Sequence, residues 1–175
     1  LSRADIEVTL FDKLRNSLPP SKSKTLTTQW RMSKAIGDLI SYCFYDGKLA
    51  SVNTDVIPGY SNLIGSQVRW LDTSLCSDRT EIESRGGGYS NPLEAKIIAN
   101  EISKNSKFVL GRHLKGNSSN FEILVVSPYR AQKRAIEEEL RMRDFGDISV
   151  RIETADAVQG SEADIVFVAT TRSNS

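Results

Sequence analysis

The sequence predicts an α/β protein built on a mainly parallel sheet with flanking helices. Three observations lead there. The run "FEILVVS" (121–127) is almost continuously apolar, the pattern of a strand buried on both faces of a parallel sheet. "ISVRIET" (148–154) and "DIVFVATT" (164–171) are two more strand-like runs. Helical patterns alternate with these runs, as expected when crossover connections lay strands parallel.

Taken in order, residues 4–16 read as a short helix, with Ile6, Leu10 and Leu14 four apart. Pro19 and Pro20 close it, and a Ser/Lys-rich loop follows. Ala35, Ile36, Leu39, Ile40, Cys43 and Phe44 form one broad apolar stripe, so a helix is predicted there, with Gly47 ending it. On that stripe Cys43 reads as a buried free thiol. "VRWLDT" (68–73) reads as a strand, and 74–90, containing Gly86-Gly87-Gly88, as a mobile loop. Asn91 fits an N-cap, with Pro92 at the first helical position and Glu94 three residues past the cap. That helix is expected to run to about Ser103, with Ile97, Ile98 and Ile102 inward, followed by a loop over 111–120. After Pro128 a charged helix is expected from about Arg130 to Arg143. Its acidic run Glu137 to Glu139 reads as a solvated face, with Glu137 and Arg141 paired at i,i+4. No internal repeat and no interior domain boundary is visible, so one domain over 1–175 is expected.

Bulk properties narrow the function classes. The 175 residues suffice for a real core, and 39% hydrophobic with 26% charged residues is an ordinary globular composition. A net charge of +1 is compatible with a local basic groove. The apolar runs are too short to span a membrane. The two cysteines form no metal-like pair, which with their small number points to an intracellular setting, cytoplasmic or nuclear. Leu1 is not a natural start, so a longer parent protein is expected. The sequence has no G-x-x-x-x-G-K-[ST] and no G-x-S-x-G, and its lone histidine, His113, sits in a Gly/Lys/Asn loop. P-loop phosphate binding, serine-hydrolase chemistry and a Cys/His metal centre are therefore not offered by these residues.

The candidate site comes from the strand ends. Ligands of open parallel sheets bind beyond the carboxyl ends of the strands. Three strands here end in Ser127-Pro128-Tyr129, Thr154-Ala155-Asp156 and Thr170-Thr171-Arg172, which should open on one edge. Each tripeptide alone reads equally as a turn former. The glycine turn at Gly160, with Gln159, Glu162 and Asp164 around it, adds polar groups beside the second and third.

These residues also resemble a known family. "LTTQWRMSKAIGDLISYCFYDGKL" (26–49) is similar to the Q-[YW]-R-M segment of Upf-like superfamily 1 helicases and the F-Y-x-G-x-L that follows it. "SNPLEA" (90–95) resembles the family's N-x-x-E-A, and "VVSPYRAQ" (125–132) its [TS]-P-Y-x-x-Q. "TADAVQGSEADIVFVATTRSN" (154–174) resembles its D-x-F-Q-G-x-E-x-D and R-[SA]-N, and "LFDKL" (10–14) its S-L-F-E-R-L. The blocks occur in family order across nearly the whole chain. Ser33-Lys34, Val158, Thr171 and Trp30 depart from the commoner residues and mark a divergent branch.

The resemblance implies the second, C-terminal RecA-like domain of an ATP-driven helicase or single-strand translocase, a fold of the P-loop NTPase superfamily. ATP would lie between it and a first RecA-like domain that supplies the P-loop and most of the Mg²⁺ ligation. The family's last arginine-bearing block does not occur here, so the domain is expected to be incomplete, and the isolated chain inactive. By the same resemblance Arg31 would reach the γ-phosphate, where a permanently charged planar fork stabilises the transferring group. Trp30 would lie by the base or ribose, with Gln29 supporting the cleft. Gly160 would allow backbone approach to the nucleotide, and Glu162 would accept from the ribose hydroxyls. Gln159 and Asp156 would link the ATP cleft to the nucleic-acid groove. Ser127, Pro128, Tyr129 and Thr154 would face the backbone of single-stranded DNA or RNA, and Arg172 would brace the interface between the two RecA-like domains. Simpler roles stand beside these: Trp30 as a core aromatic, Glu162 and Asp164 as turn caps, Asn91 and Glu94 as a helix cap. A catalytically inactive nucleic-acid- or protein-binding scaffold is the alternative function.

Overall fold

The computed structural model describes residues 10–52, 66–112, 121–146 and 148–173. The chain divides into two compact units, Leu1–Asp55 and Val56–Ser175, where the sequence shows no boundary.

In the first unit, helix α1 (Leu10–Ser17) and a 3-10 turn (Pro20–Lys22) precede strand β1 (Thr28–Gln29), helix α2 (Lys34–Phe44) and strand β2 (Ala50–Ser51). Residues 4–9 of the expected first helix lie outside the described residues. β1 and β2 pair in parallel, Thr28 opposite Ala50 and Gln29 opposite Ser51. α2 buries Gly37 and Ser41. A Cβ on Gly37 would lie 2.0 Å from Ser51 Oγ and 2.7 Å from Gln29 Nε2, so only glycine permits this approach of helix to strands. The Ser41 hydroxyl accepts the Leu49 N–H at 2.9 Å, and the Ser41 carbonyl accepts from Tyr45 and Gly47, closing the helix where expected.

The apolar stripe of α2 corrects one expectation. Leu39, Cys43 and Phe44 are exposed, so Cys43 is not a buried thiol among the described residues. The helix turns its small-residue face to the strands, because closeness there excludes large side chains, and the bulky stripe points away.

The second unit opens on 66–73 without regular structure, so the strand expected at 68–73 does not form. Asp72 accounts for this locally. Its carboxylate accepts the Ser74 N–H and hydroxyl, each at 2.9 Å, a turn that competes with extended pairing and lowers the Asp72 pKa. Within the expected loop 74–90 lies a small antiparallel hairpin, β3 (Ile82–Glu83) with β4 (Tyr89–Ser90), closed by Ser84 N–H to the Gly88 carbonyl at 3.0 Å.

Helix α3 (Pro92–Arg112) runs past the expected end at Ser103. Two of its serines are satisfied within the helix: the Ser103 and Ser106 hydroxyls donate to the Ala99 and Ile102 carbonyls at 2.9 and 2.8 Å. Residues 113–120, with His113, lie outside the described residues. Strand β5 (Glu122–Ser127), helix α4 (Arg130–Leu140), strand β6 (Ser149–Thr154), a 3-10 turn (Ala155–Val158) and strand β7 (Ile165–Val168) complete the unit. α4 ends earlier than expected, and its pairs differ: Glu137 lies 3.9 Å from Lys133, and Arg141 bonds Glu138 instead.

The three long strands form one parallel sheet in the order β6-β5-β7. Register places Ile123 beside Val150 and Ile165, and Val125 beside Ile152 and Phe167, all on one face. That face meets Ala95, Ile98, Ala99, Ile102 and Val109 of α3 and Ile136 and Leu140 of α4 in one hydrophobic cluster. Each of the larger side chains, the isoleucines, valine and leucine, contributes ~1.5–3 kcal/mol by leaving water. On the opposite face Leu124 of β5 is buried as expected, but Val166 and Val168 of β7 are 49% and 70% exposed.

Candidate functional site

Residues 29–33 of the first unit form a compact polar turn. Gln29 shapes it with both ends of its amide. Its Oε1 accepts the Arg31 N–H at 2.9 Å and the Met32 N–H at 2.7 Å, and its Nε2 donates to the Met32 carbonyl at 2.9 Å. The chain therefore folds around a half-buried glutamine and carries Trp30 and Arg31 outward. Trp30 is 71% exposed, so it is not a core aromatic here. Arg31 is exposed beside it.

In the second unit the polar strand ends converge at the carboxyl edge of the sheet. Ser127 and Thr154 are direct neighbours in register, and Ala169 N–H donates to the Val126 carbonyl at 2.8 Å, bringing Thr170 and Thr171 to the same edge. The members differ in access. Ser127 is fully buried, and its Oγ accepts the Tyr129 N–H at 3.2 Å. Its hydroxyl thus braces the turn and does not project from the edge. Pro128 is exposed, and Tyr129 and Thr154 are half-buried.

Asp156, Gln159, Gly160 and Glu162 lie in the exposed connection from β6 to β7. Ser161 N–H donates to the Val158 carbonyl at 2.9 Å across Gln159 and Gly160, and Gly160 has φ +80°. This is a type II turn, whose third position requires a left-handed residue. Nothing lies within 4 Å of where a Gly160 Cβ would stand, so the backbone is open to approach. Asp164 sits at the other end. It accepts the Glu122 N–H at 2.9 Å and donates its own N–H to the Glu122 carbonyl at 3.0 Å, pinning the start of β7 to the start of β5. Its cap reading holds, on the edge opposite Ser127 and Thr154.

A buried polar cluster ties the carboxyl edge together. Asn91 caps α3, its Oδ1 accepting the Glu94 N–H at 3.0 Å. Glu94 reaches across instead of back: Oε1 accepts the Thr170 N–H and Oε2 the Thr171 N–H, both at 2.8 Å. Gln132 of α4 accepts the Asn91 N–H at 2.6 Å and donates to the Asn91 carbonyl and to Glu94 Oε2, both at 3.3 Å. Burial raises the Glu94 pKa, and the Thr170 and Thr171 hydrogen bonds oppose that rise. Thr171, fully buried at φ 68°, is held in a conformation costly for a β-branched residue.

Arg172 follows directly. Its Nε donates to Glu81 Oε1 at 2.8 Å, and its guanidinium lies 4.1 Å from the Tyr89 ring centroid. Tyr89 and Tyr129 meet edge to face with centroids 5.5 Å apart. Bonding to Tyr129 and Glu81 raises the Arg172 pKa, and the Ser173 N–H foremost lowers that of Glu81. The hairpin thus joins Tyr129 to Arg172. Sequence reasoning assigned no site role to Glu81, Tyr89 or Gln132. Gln132 had a signal: it shares a four-residue spacing with Ile136 and Leu140 on the inward side of α4. Glu81 and Tyr89 had none, because the hairpin that brings them in was unforeseen.

A family model described as "AAA domain" matches residues 6–175. The chain is 28% identical over 185 residues to DNA polymerase alpha-associated DNA helicase A of Saccharomyces cerevisiae, covering 97% of this chain and 26% of that protein. It is 28% identical over 192 residues to the DNA replication ATP-dependent helicase/nuclease DNA2 of Mus musculus, covering 94% and 17%. To Regulator of nonsense transcripts 1 of Caenorhabditis elegans it is 26% identical over 183 residues, covering 98% and 16%. The chain spans about a quarter or less of the length of these relatives.

Proposed function

Because the chain belongs to the Upf-like superfamily 1 helicases and carries their RecA-like AAA domain, as a divergent member, we propose that it is the second, C-terminal motor domain of an ATP-driven, single-strand translocase or helicase. The observation that carries this is the Gln29-braced turn. It presents an exposed aromatic ring and, on the next residue, an exposed arginine.

These residues fit a nucleotide. A flat apolar ring suits a base or ribose, and a permanent cation suits a phosphate. In the second unit, taken by itself, the backbone at Gly160 is open to approach and Glu162 is exposed two residues on, the features that the resemblance asks of nucleotide contacts. ATP, when bound, supplies the transferable phosphoryl group. Arg31 stabilises charge on it, Trp30 orients the nucleoside, and Gln29 holds both in place. The phosphate cradle and the Mg²⁺ ligands come from a first RecA-like domain. Among the described residues no group of three or more His, Cys, Asp and Glu side chains is arranged to hold a metal.

The second site is the carboxyl edge of the sheet. Tyr129, Thr154 and the backbone around Pro128 face a single strand, with Ser127 acting through the turn it braces. Contacts of this kind position a strand without reading its sequence. Asp156 and Gln159 connect the strand-binding edge with the nucleotide, and Arg172, set by Glu81 and Tyr89, braces the interdomain contact. Among the described residues no helix is long and apolar enough to cross a membrane. Separately, the few unpaired cysteines favour an intracellular place of action, cytoplasmic or nuclear.

The test is ATP hydrolysis by the intact protein, with and without single-stranded DNA and RNA. Stimulation by either strand supports the motor. A folded protein that binds a strand but never hydrolyses ATP overturns it in favour of a helicase-derived scaffold.

A further inference from the structure

Next to Thr154 the surface carries an open cleft of ≈ 280 Å³, lined by Arg130, Lys133, Arg134, Glu137 and Thr154. Three cations against one carboxylate make it basic in a chain whose net charge is only +1. The cations are not equivalent. Lys133 is already neutralised, 3.0 Å from Glu153 and 3.9 Å from Glu137. Arg130 and Arg134 are exposed and make no ion pair or hydrogen bond among the described residues. They stand about one helical turn apart on the same face of α4, ~6 Å along its axis. Like charges so placed repel mildly, and a surface that keeps them together is well suited to anions spaced along a chain. The cleft begins at Thr154, which lies beside Ser127 at the end of the neighbouring strand.

We infer that Arg130 and Arg134 form a phosphate-binding subsite that continues the path of a single-stranded polynucleotide from Thr154 along the first turns of α4. This rests on the reading of the chain as a strand-binding domain. The two guanidiniums take successive backbone phosphates, and Thr154 donates at the inner end. Lys133, held by Glu153, keeps the floor neutral and leaves the anions to the arginines. The contacts are to backbone only, so the subsite adds affinity without sequence preference.

The experiment uses the intact protein that carries this chain, with an unstructured oligodeoxythymidylate and an oligouridylate as probes. Binding is measured across a series of salt concentrations. Each phosphate contact on a single strand adds about 0.7 to the slope of log affinity against log salt. The double variant Arg130→Ala/Arg134→Ala should lower that slope by about 1.4, with weaker binding to both probes. Arg130→Lys/Arg134→Lys should restore the slope, and Glu137→Gln should strengthen binding at low salt. A double alanine variant that binds with the native slope overturns the subsite while leaving the strand-binding reading in place. Failure of the unaltered protein to bind either probe overturns the strand-binding reading itself. Loss of binding by the alanine variant without rescue by lysine overturns the phosphate assignment in favour of a structural role for the arginines.

Discussion

Arg31, Gly37, Glu81 and Glu94 each make a separate prediction at the scale of one side chain. Arg31→Ala in the intact protein should lower kcat by ~10³-fold or more, the scale at which a phosphate-directed arginine acts. Single-strand affinity should stay close to native, and steady-state kinetics alongside a binding titration separate the two. Gly37→Ala acts on the same turn indirectly. The added methyl gains ~0.5–1 kcal/mol of helix propensity, but it must displace Ser51 Oγ and the Gln29 amide. Overpacking of this kind costs ~1–3 kcal/mol. Net destabilisation is expected in a denaturant titration, with a raised KM for ATP as Gln29 leaves the turn. The two glutamates titrate with opposite consequences. The Glu81 carboxyl is held below its usual range, so its contribution is in place at neutral pH and is lost as pH falls through the depressed value. The Glu94 carboxyl is raised, so stability is greatest with it protonated and declines as pH rises through the raised value. Thermal melts against pH should show Glu81→Gln without the acid-side loss and Glu94→Gln without the decline above the usual carboxylate range.

Elements succeed or fail here according to whether local and tertiary demands agree. The α3 N-terminus is a case of agreement. Asn91, Pro92 and Glu94 follow the capping order, and the Asn91 side chain makes the expected bond. Asn91→Ala removes that cap, worth ~1 kcal/mol, and also a donor to the Arg79 carbonyl at 2.7 Å. A loss of ~2 kcal/mol or more is therefore expected by chemical denaturation. The parallel strands were legible because burial enforces long apolar runs. The α2 stripe was legible as a helix but not in its facing, since a hydrophobic pattern cannot reveal that Gly37 and Ser41 must approach two short strands. The 68–73 segment has strand composition, yet a single Asx turn at Asp72 decides its conformation. The hairpin at 82–90 escaped because strands of two residues leave no periodicity. In the site, Gln29, Trp30 and Arg31 were legible only through the resemblance to the Q-[YW]-R-M segment. The burial of Ser127, and the reach of Glu94 to Thr170 and Thr171, depend on partners tens of residues away.

For the whole molecule the expected outcome is an activity that this chain cannot perform by itself. The 175-residue chain, expressed alone, should fold and show no ATP turnover in a coupled hydrolysis assay, because it has no phosphate-cradling glycine-lysine loop. Turnover by the chain alone would overturn its assignment as the second motor domain. The relatives it matches are several times longer than this chain.

The ties among Asn91, Glu94, Gln132, Thr170 and Thr171 also govern the order of folding. Asn91 and Gln132 are 41 residues apart, and Glu94 and Thr170 are 76. No local segment can form these bonds early; the three parallel strands have to close first, and parallel closure is slow. The carboxyl edge is therefore the last part of the second unit to become ordered. Thr170 and Thr171 also open together, since both donate to Glu94, whose Oε2 further accepts from Gln132. In hydrogen exchange the amides of Asn91, Thr170 and Thr171 should share one opening rate, slower than that of the 155–162 connection and faster than that of β5. A region that loosens as a unit while the sheet beneath stays shut can let go of a strand and take hold again without unfolding the domain.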